Sequence, residues 1–150
     1  MTAEIEIRSG QVSDLEVVIA WLDGAGLPSD DLRAVHMESF LLATKATQPV
    51  GMIGLEKFAD LGLLRSLLVE STCRGNGLGA QLVAALEAKA QSHDIAELWL
   101  LTIDADPFFA RIGFDTVERI DAPASIQATA EFSSLCPGDA VLMRKKLATV

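Results

Sequence analysis

The chain of 150 residues has no tyrosine, two histidines, two cysteines and two tryptophans. Each scarcity narrows what it can be. The histidines, His36 and His93, stand far apart and are expected on the surfaces of helices, so no metal site is expected. The cysteines, Cys73 and Cys136, fit a reducing compartment and need no pairing. Cys136 is expected to be a buried, inert thiol, and Cys73 borders a glycine-rich loop where it could be mildly reactive. Positive charge is also short: 12 Lys and Arg stand against 21 Asp and Glu, a net charge of −9. Nucleic acid requires a basic footprint and is excluded as a partner. No apolar run reaches the ~18–20 residues that span a bilayer, so no membrane association is expected. Met1 is followed by Glu4 and Glu6 rather than by a basic segment and an apolar core, so a cytoplasmic protein is expected. A homodimer is left open.

What is present is a full apolar complement, 50% of the residues. That rules out a disordered chain, and the length suits one domain with a complete core. Ile5 and Ile7 alternate with charged residues and predict a first strand. Ser13-Asp14 offers an N-cap to a helix carried by Leu15, Val18, Ile19 and Leu22, ended by Gly24 and Gly26. Pro28 to Asp30 predicts the start of a short helical segment reaching about Val35. Two strands, Phe40 to Ala43 and Val50 to Leu55, are expected around a turn at Thr47-Gln48-Pro49. Leu63 to Val69 is the expected central strand. Leu82, Val83, Leu86 and Ala90 form the buried stripe of a helix. Glu97 to Thr102 reads as a strand covered on both faces. Further strands are expected near Thr116 to Glu118 and at Ala140 to Met143, with a short helix over Pro123 to Phe132. Trp21 and Trp99 are expected in the core. The assembly is mixed α/β.

The chemistry concentrates in Cys73-Arg74-Gly75-Asn76-Gly77-Leu78-Gly79-Ala80. Strand, glycine-rich turn and helix make a phosphate-cradling arrangement. Glycine lets backbone approach the ligand without a Cβ in the way. The first helical turn then presents unpaired N–H groups and the positive end of the dipole. Arg74 adds a forked cation. The nucleoside-triphosphate loop needs Gly-Lys-Ser/Thr, and Gly79 is followed by Ala80 and Gln81, so that template fails. The dinucleotide pattern is formally met by Gly75, Gly77 and Ala80, with Asp104 as ribose acid, and a nucleotide-binding oxidoreductase stays open. It sits too far from its strand and too late in the chain for the usual context.

The spacing Arg74-x-x-Gly77-x-Gly79 resembles the pyrophosphate loop of the GNAT superfamily of N-acetyltransferases, and Asp106 to Phe114 resembles that family's second signature, a short helix closed by Gly-Phe. Leu64-Arg65-Ser66-Leu67, the loop, Phe108 to Phe114, and Phe132-Ser133-Ser134-Leu135-Cys136-Pro137 together resemble the arsenic-resistance N-acetyltransferases of bacteria. The resemblance implies residues 1–150 as one acetyltransferase domain of the GNAT fold, a mixed sheet of six to seven strands flanked by helices. It implies acetyl-CoA as co-substrate and a small-molecule amine as acceptor, of the class of amino-acid analogues with a phosphinate or arsinate head. Cofactor contacts would come from Leu67, Leu68, Val69, Arg74, Gly75, Asn76, Gly77, Leu78, Gly79, Ala80 and Phe109. Arg65 and Ser66 would meet the acceptor.

Two family features are missing. Many members carry a tyrosine where this chain has Phe109, and an acid where it has Leu63. A thiol of pKa about 8.5 leaves without much help, so stripping the substrate ammonium is the first need. Glu56, Glu38 and Asp104 are the candidate bases. Glu56 is favoured, because it interrupts an apolar strand, where burial raises a carboxyl pKa unless the group is paired. A hairpin near Asp60-Leu61 would also set Glu56 opposite Arg65 as a structural pair. An acetyl-CoA-binding module without turnover is the second alternative.

Overall fold

A computed structural model describes residues 4–27, 29–73, 75, 77–129, 132 and 140–147. Its strands are β1 (Ile5–Ser9), β2 (Phe40–Lys45), β3 (Gln48–Phe58), β4 (Leu61–Val69), β5 (Glu97–Thr102), β6 (Asp115–Val117) and β7 (Val141–Lys146). They form one mixed sheet in the order β1-β2-β3-β4-β5-β7-β6, at the upper end of the six to seven strands expected. The α-helices are α1 (Leu15–Gly24), α2 (Leu78–Ser92), α3 (Asp106–Arg111) and α4 (Ala124–Gln127). The residues gather into two compact units: Met1–Leu55 with Ser66–Ala88, and Glu56–Arg65 with Lys89–Val150.

In the first unit β1, β2 and β3 run antiparallel. The β2–β3 turn is Ala46-Thr47, with φ of 50° and 68°. Two left-handed residues match the twist of the flanking strands. The turn expected at Thr47 to Pro49 therefore lies earlier, and Pro49 enters β3 opposite Thr44 where the register shifts. An irregular step of this kind is where a strand tolerates a residue without an N–H. Gly54 faces Phe40, and a Cβ there would fall 2.6 Å from the Phe40 ring. Glycine at that position is what lets the ring lie across the strand. Val18, Leu22, Met37, Phe40, Leu42 and Met52 form the core, with Trp21 and Leu68 packed against it.

The start of α1 differs from the expected Ser13-Asp14 cap. A 3-10 turn, Val12–Asp14, precedes the helix, and Gln11 is the extended residue before it. The Asp14 carboxylate accepts from the Gln11 N–H at 2.7 Å. It also receives both Arg8 guanidinium nitrogens, at 2.9 and 3.0 Å. The helical segment expected from Pro28 to Val35 begins later, as a 3-10 helix over Ala34–Ser39. The Ser29 hydroxyl donates to the Asp23 carboxylate, which ties the chain back to α1 first. His36 then caps the segment, its Nδ1 accepting from the Arg33 N–H at 2.8 Å. Pro28 lies outside the described residues.

In the second unit β5 pairs in parallel with β4 over Leu61–Leu63, and β7 lies antiparallel between β5 and β6. Leu63, Trp99, Ala122, Ile126 and Leu142 form its core, so Trp99 takes the packing role expected of it. α4 is shorter than the helix expected from Pro123 to Phe132. The Thr129 hydroxyl donates to the Ile126 carbonyl at 2.7 Å and accepts from the Phe132 N–H at 3.2 Å. These local bonds replace the helical ones. Of the stretch from Phe132 to Pro137 only Phe132 is described, so Cys136 lies outside the described residues. Among the described residues no helix is long and apolar enough to cross a membrane.

The Arg8–Asp14 contact makes a pH prediction. The paired guanidinium holds the Asp14 carboxyl below the usual carboxylate range, helped by the Gln11 N–H and opposed by partial burial. A depressed folded pKa gives stability that is present above the unfolded pKa of about 3.9 and is lost as pH falls through the folded value. Arg8 is 38% exposed at the side chain, so screening limits the effect. Asp14→Asn should therefore cost about 1 kcal/mol or less at pH 7. Urea unfolding of both proteins should show the difference shrink to nothing at strongly acid pH.

Candidate functional site

The end of β4, the 3-10 turn Ser71–Cys73, the glycine loop and the start of α2 are consecutive in the first unit. Leu67, Leu68 and Val69 are only partly buried, unlike the preceding Leu63 and Leu64. The Glu70 N–H donates to the Val50 carbonyl at 2.8 Å, and the Cys73 N–H to the Glu70 carbonyl at 2.9 Å. Gly75 and Gly77 have φ of +84° and +80°. L-residues rarely adopt that region, which accounts for both glycines. Among the described residues nothing lies within 4 Å of where a Cβ would stand at either. At these two glycines no described residue covers the backbone on that side, chain neighbours aside.

α2 starts at Leu78. Its first intrahelical bond runs from the Gln81 N–H to the Gly77 carbonyl at 3.0 Å. The N–H groups of Leu78, Gly79 and Ala80 belong to the first turn, where no intrahelical acceptor exists. Leu78 itself is 2% exposed, so the helix start is anchored. Gly51 of β3 provides the room. A Cβ there would meet Leu82 Cδ1 at 3.0 Å, Leu78 Cδ2 at 3.3 Å and the Leu68 carbonyl at 3.4 Å. Backbone amides, a helix N-terminus and a bare turn together suit an anion. Arg74 and Asn76 lie outside the described residues. Cys73 is a buried free thiol.

Glu56 and Arg65 belong to the second unit. Arg65 Nη1 donates to Glu56 Oε1 at 3.3 Å; the arginine side chain has no exposed surface, and the glutamate keeps 25%. The contact between Glu56 and Arg65 is formed, but the turn lies at Ala59-Asp60, one residue earlier than the hairpin expected near Asp60-Leu61, so the two meet offset along the strands rather than squarely opposite. Leu63 is fully buried, while Glu38 and Asp104 are exposed.

Next to Arg65, Ser66 sits inside β4 with φ of +60° and is 6% exposed. A left-handed serine within a strand is a strained position that re-aims the residues after it. Sequence reading assigned Ser66 to the acceptor only by resemblance and gave no hint of this geometry.

α3 carries Phe109, which is 4% exposed. Its ring meets those of Phe108 and Phe114 edge-on, with centroids 5.0 and 5.5 Å away. The Phe114 N–H donates to the Phe109 carbonyl at 3.0 Å, closing the helix at Gly113. No hydroxyl stands at this position. Among the described residues no group of His, Cys, Asp and Glu is arranged to hold a metal.

The acetyltransferase (GNAT) family model matches residues 11–114, well over half of the chain, and the chain belongs to that family. An uncharacterized N-acetyltransferase of Chlorobaculum tepidum is 29% identical over 92 residues, which are 61% of this chain and 59% of that protein. Among solved structures, N-acetylglutamate synthase from Neisseria gonorrhoeae, complexed with coenzyme A and N-acetyl-glutamate, is similar with a TM-score of 0.81 at 23% identity. That match covers 97% of this chain and 36% of the synthase. A Mycobacterium tuberculosis protein solved in complex with CoA gives 0.77 at 23% identity, covering 95% of this chain and 99% of that one. These structural likenesses concern the fold.

The buried pair gives a stability prediction. Arg65→Met leaves the Glu56 carboxylate without its guanidinium, a loss of about 3 kcal/mol at the low end for a broken buried pair, since Glu56 keeps some solvent. Glu56→Gln/Arg65→Met should recover part of it. Chemical denaturation of the three variants measures this, and additive losses would show that the two side chains are not coupled.

Proposed function

We propose that the chain is an acetyl-CoA-dependent N-acetyltransferase acting on the amine of a small molecule, with residues 1–150 working as one acetyltransferase domain. The glycine loop carries the reading: Gly75 and Gly77, at positive φ, stand just before the first turn of α2. Family membership and the CoA complexes of structural relatives support it. In this reading the amides of Gly75 to Ala80, with Arg74 and Asn76, hold the pyrophosphate of acetyl-CoA. Backbone groups of Leu67 and Val69 pair with the pantetheine arm, and Leu68 and Phe109 complete the cofactor contacts.

Transfer is direct. The neutral amine attacks the thioester carbonyl, the C–N bond forms, the C–S bond breaks, and coenzyme A leaves as the thiolate. Glu56 takes the first proton from the ammonium, directly or through water, before attack; the second, shed by the nitrogen as the amide forms, ends on the departing thiolate. The acceptor is read as an amino-acid-like amine with an acidic head, phosphinate, arsinate or carboxylate, met by Arg65 and Ser66. Support comes from the likeness to arsenic-resistance enzymes and from a structural relative that holds N-acetyl-glutamate. An acidic acceptor would share Arg65 with Glu56. The missing tyrosine favours one second reading, a module that binds acetyl-CoA without turnover.

Free-thiol release from acetyl-CoA over a panel of amines separates the two. Turnover on an acidic amino acid analogue supports the full reading. Turnover only on neutral amines removes the acidic acceptor. Binding without turnover on any amine leaves the module.

Gly77→Val should weaken coenzyme A binding at least about tenfold, because it places a β-branched side chain on the bare face of the loop and strains the turn. Unchanged affinity by calorimetry in a folded variant would remove the loop assignment. Phe109→Tyr should fold and keep kcat within about twofold, since a thiolate of pKa about 8.5 needs little protonation to leave. A large rise in kcat would show that leaving-group protonation limits the rate.

A further inference from the structure

α3 has six residues, too few to be stable without help from outside the helix. At its start the Ala105 N–H donates to Thr102 Oγ1 at 3.0 Å. At its end the help comes from 33 residues further along the chain. Lys145 of β7 sends its ammonium to the Ile112 carbonyl at 2.9 Å. That carbonyl follows the last turn, where the negative end of the helix dipole also favours a cation.

Two further contacts set the path of this lysine. Its Nζ stands 5.8 Å from the centroid of the Phe114 ring. Its stem crosses Gly113, where a Cβ would fall 3.1 Å from Lys145 Cε and 3.3 Å from Nζ. Gly113 has φ of +103°, so glycine both makes the turn and admits the lysine. Phe114 continues the chain of contacts to Phe109, by the 5.5 Å edge-on ring pair and by the 3.0 Å backbone bond.

We propose that Lys145 is a positioning residue: it clamps the C-terminal end of α3 across Gly113 and so fixes Phe109 for acetyl-CoA. The inference rests on the reading of Phe109 as a cofactor contact. A plain packing role would lower stability and nothing else. A clamp has a local signature, because it acts on the amides of 112–114 and on cofactor affinity together.

The test uses the whole chain, with coenzyme A as the probe, so no acceptor need be known. Lys145→Met keeps the stem and removes the donor and charge; Lys145→Arg keeps both; Lys145→Gln keeps a donor and serves if the Met variant does not fold. Hydrogen exchange reads the Gly113 and Phe114 amides, and calorimetry reads the dissociation constant. In Lys145→Met the exchange should be about tenfold faster and coenzyme A binding about tenfold weaker, the scale of one lost charge-assisted hydrogen bond. Lys145→Arg should return both to within about threefold of wild type. Unchanged exchange overturns the clamp. Faster exchange with unchanged affinity overturns its bearing on the cofactor. Wild-type protein that binds no coenzyme A sinks the reading of Phe109 itself, and with it the cofactor half of the inference; the exchange rates still decide the clamp.

Discussion

Burying the whole Arg65 side chain takes a permanent charge out of water, and the strand pair that carries it must answer that cost locally. Glu56 does so from the other side of a two-residue turn, at 3.3 Å. A close pair returns part of the desolvation penalty only if its geometry is held. Here both partners sit on strands joined by a short hairpin, which holds it at little loss of chain entropy. The consequence is that β3 and β4 are fixed in register near residues 56–65. Ser66 follows at once, and its left-handed backbone changes the course of the strand. Leu67 to Val69 are then only partly buried, while Leu63 and Leu64 before Arg65 are buried. A strand that would otherwise continue as core presents its last residues instead.

The start of α2 is shaped by the opposite means, removal of side chains. At Gly51 the helix and the end of β4 come within 3.0–3.4 Å of where a Cβ would be. At Gly75 and Gly77 the gain is conformational, and among the described residues nothing comes within 4 Å of where a Cβ would be. These are two different uses of one residue, and they act together. Close packing at Gly51 seats Leu78, which fixes the helix N-terminus; the left-handed turns bring bare backbone up to it. An acidic chain with a net charge of −9 can then offer an anion a local field to which the peptide dipoles of the helix start contribute.

The parts legible in the sequence are those where residue type alone dictates backbone behaviour. The apolar runs of β4 and β5, the glycine spacing of the loop and the Gly113-Phe114 closure all have that character. The Glu56–Arg65 contact was legible in kind, because a tight hairpin brings residues at that chain distance near one another, although its turn falls one residue earlier than expected. The rest required context. Ala46 and Thr47 turn the chain with positive φ although neither is a usual turn residue, so the signal pointed instead to Pro49. The 3-10 helix Ala34–Ser39 is delayed by a tie between Ser29 and Asp23 that spacing does not announce. A single serine says nothing about its own φ. Lys145 lies beyond the strand expected at Ala140 to Met143, and spacing does not announce its role, because its partner carbonyl is 33 residues away.

The loss of the family's tyrosine can be weighed by magnitude under the proposed reaction. Expelling a thiolate of pKa about 8.5 near pH 7 leaves a species about 1.5 units above ambient, roughly 2 kcal/mol. Freeing the acceptor amine costs more than that whenever its conjugate acid titrates above the thiol, and up to about 4–5 kcal/mol for a lysine-like pKa of about 10.4. For such an amine the base is the larger requirement, and a chain without the acid lacks the smaller term. What it gains at Phe109 is packing. A phenol there would bring a hydroxyl into a cluster of three aromatic rings where Phe109 is 4% exposed, and an unmet hydroxyl costs about 1–3 kcal/mol. That cost is comparable to the protonation it would relieve. The balance favours an apolar ring on a rigid helix end, and it places the demand for proton transfer on the acceptor side of the reaction.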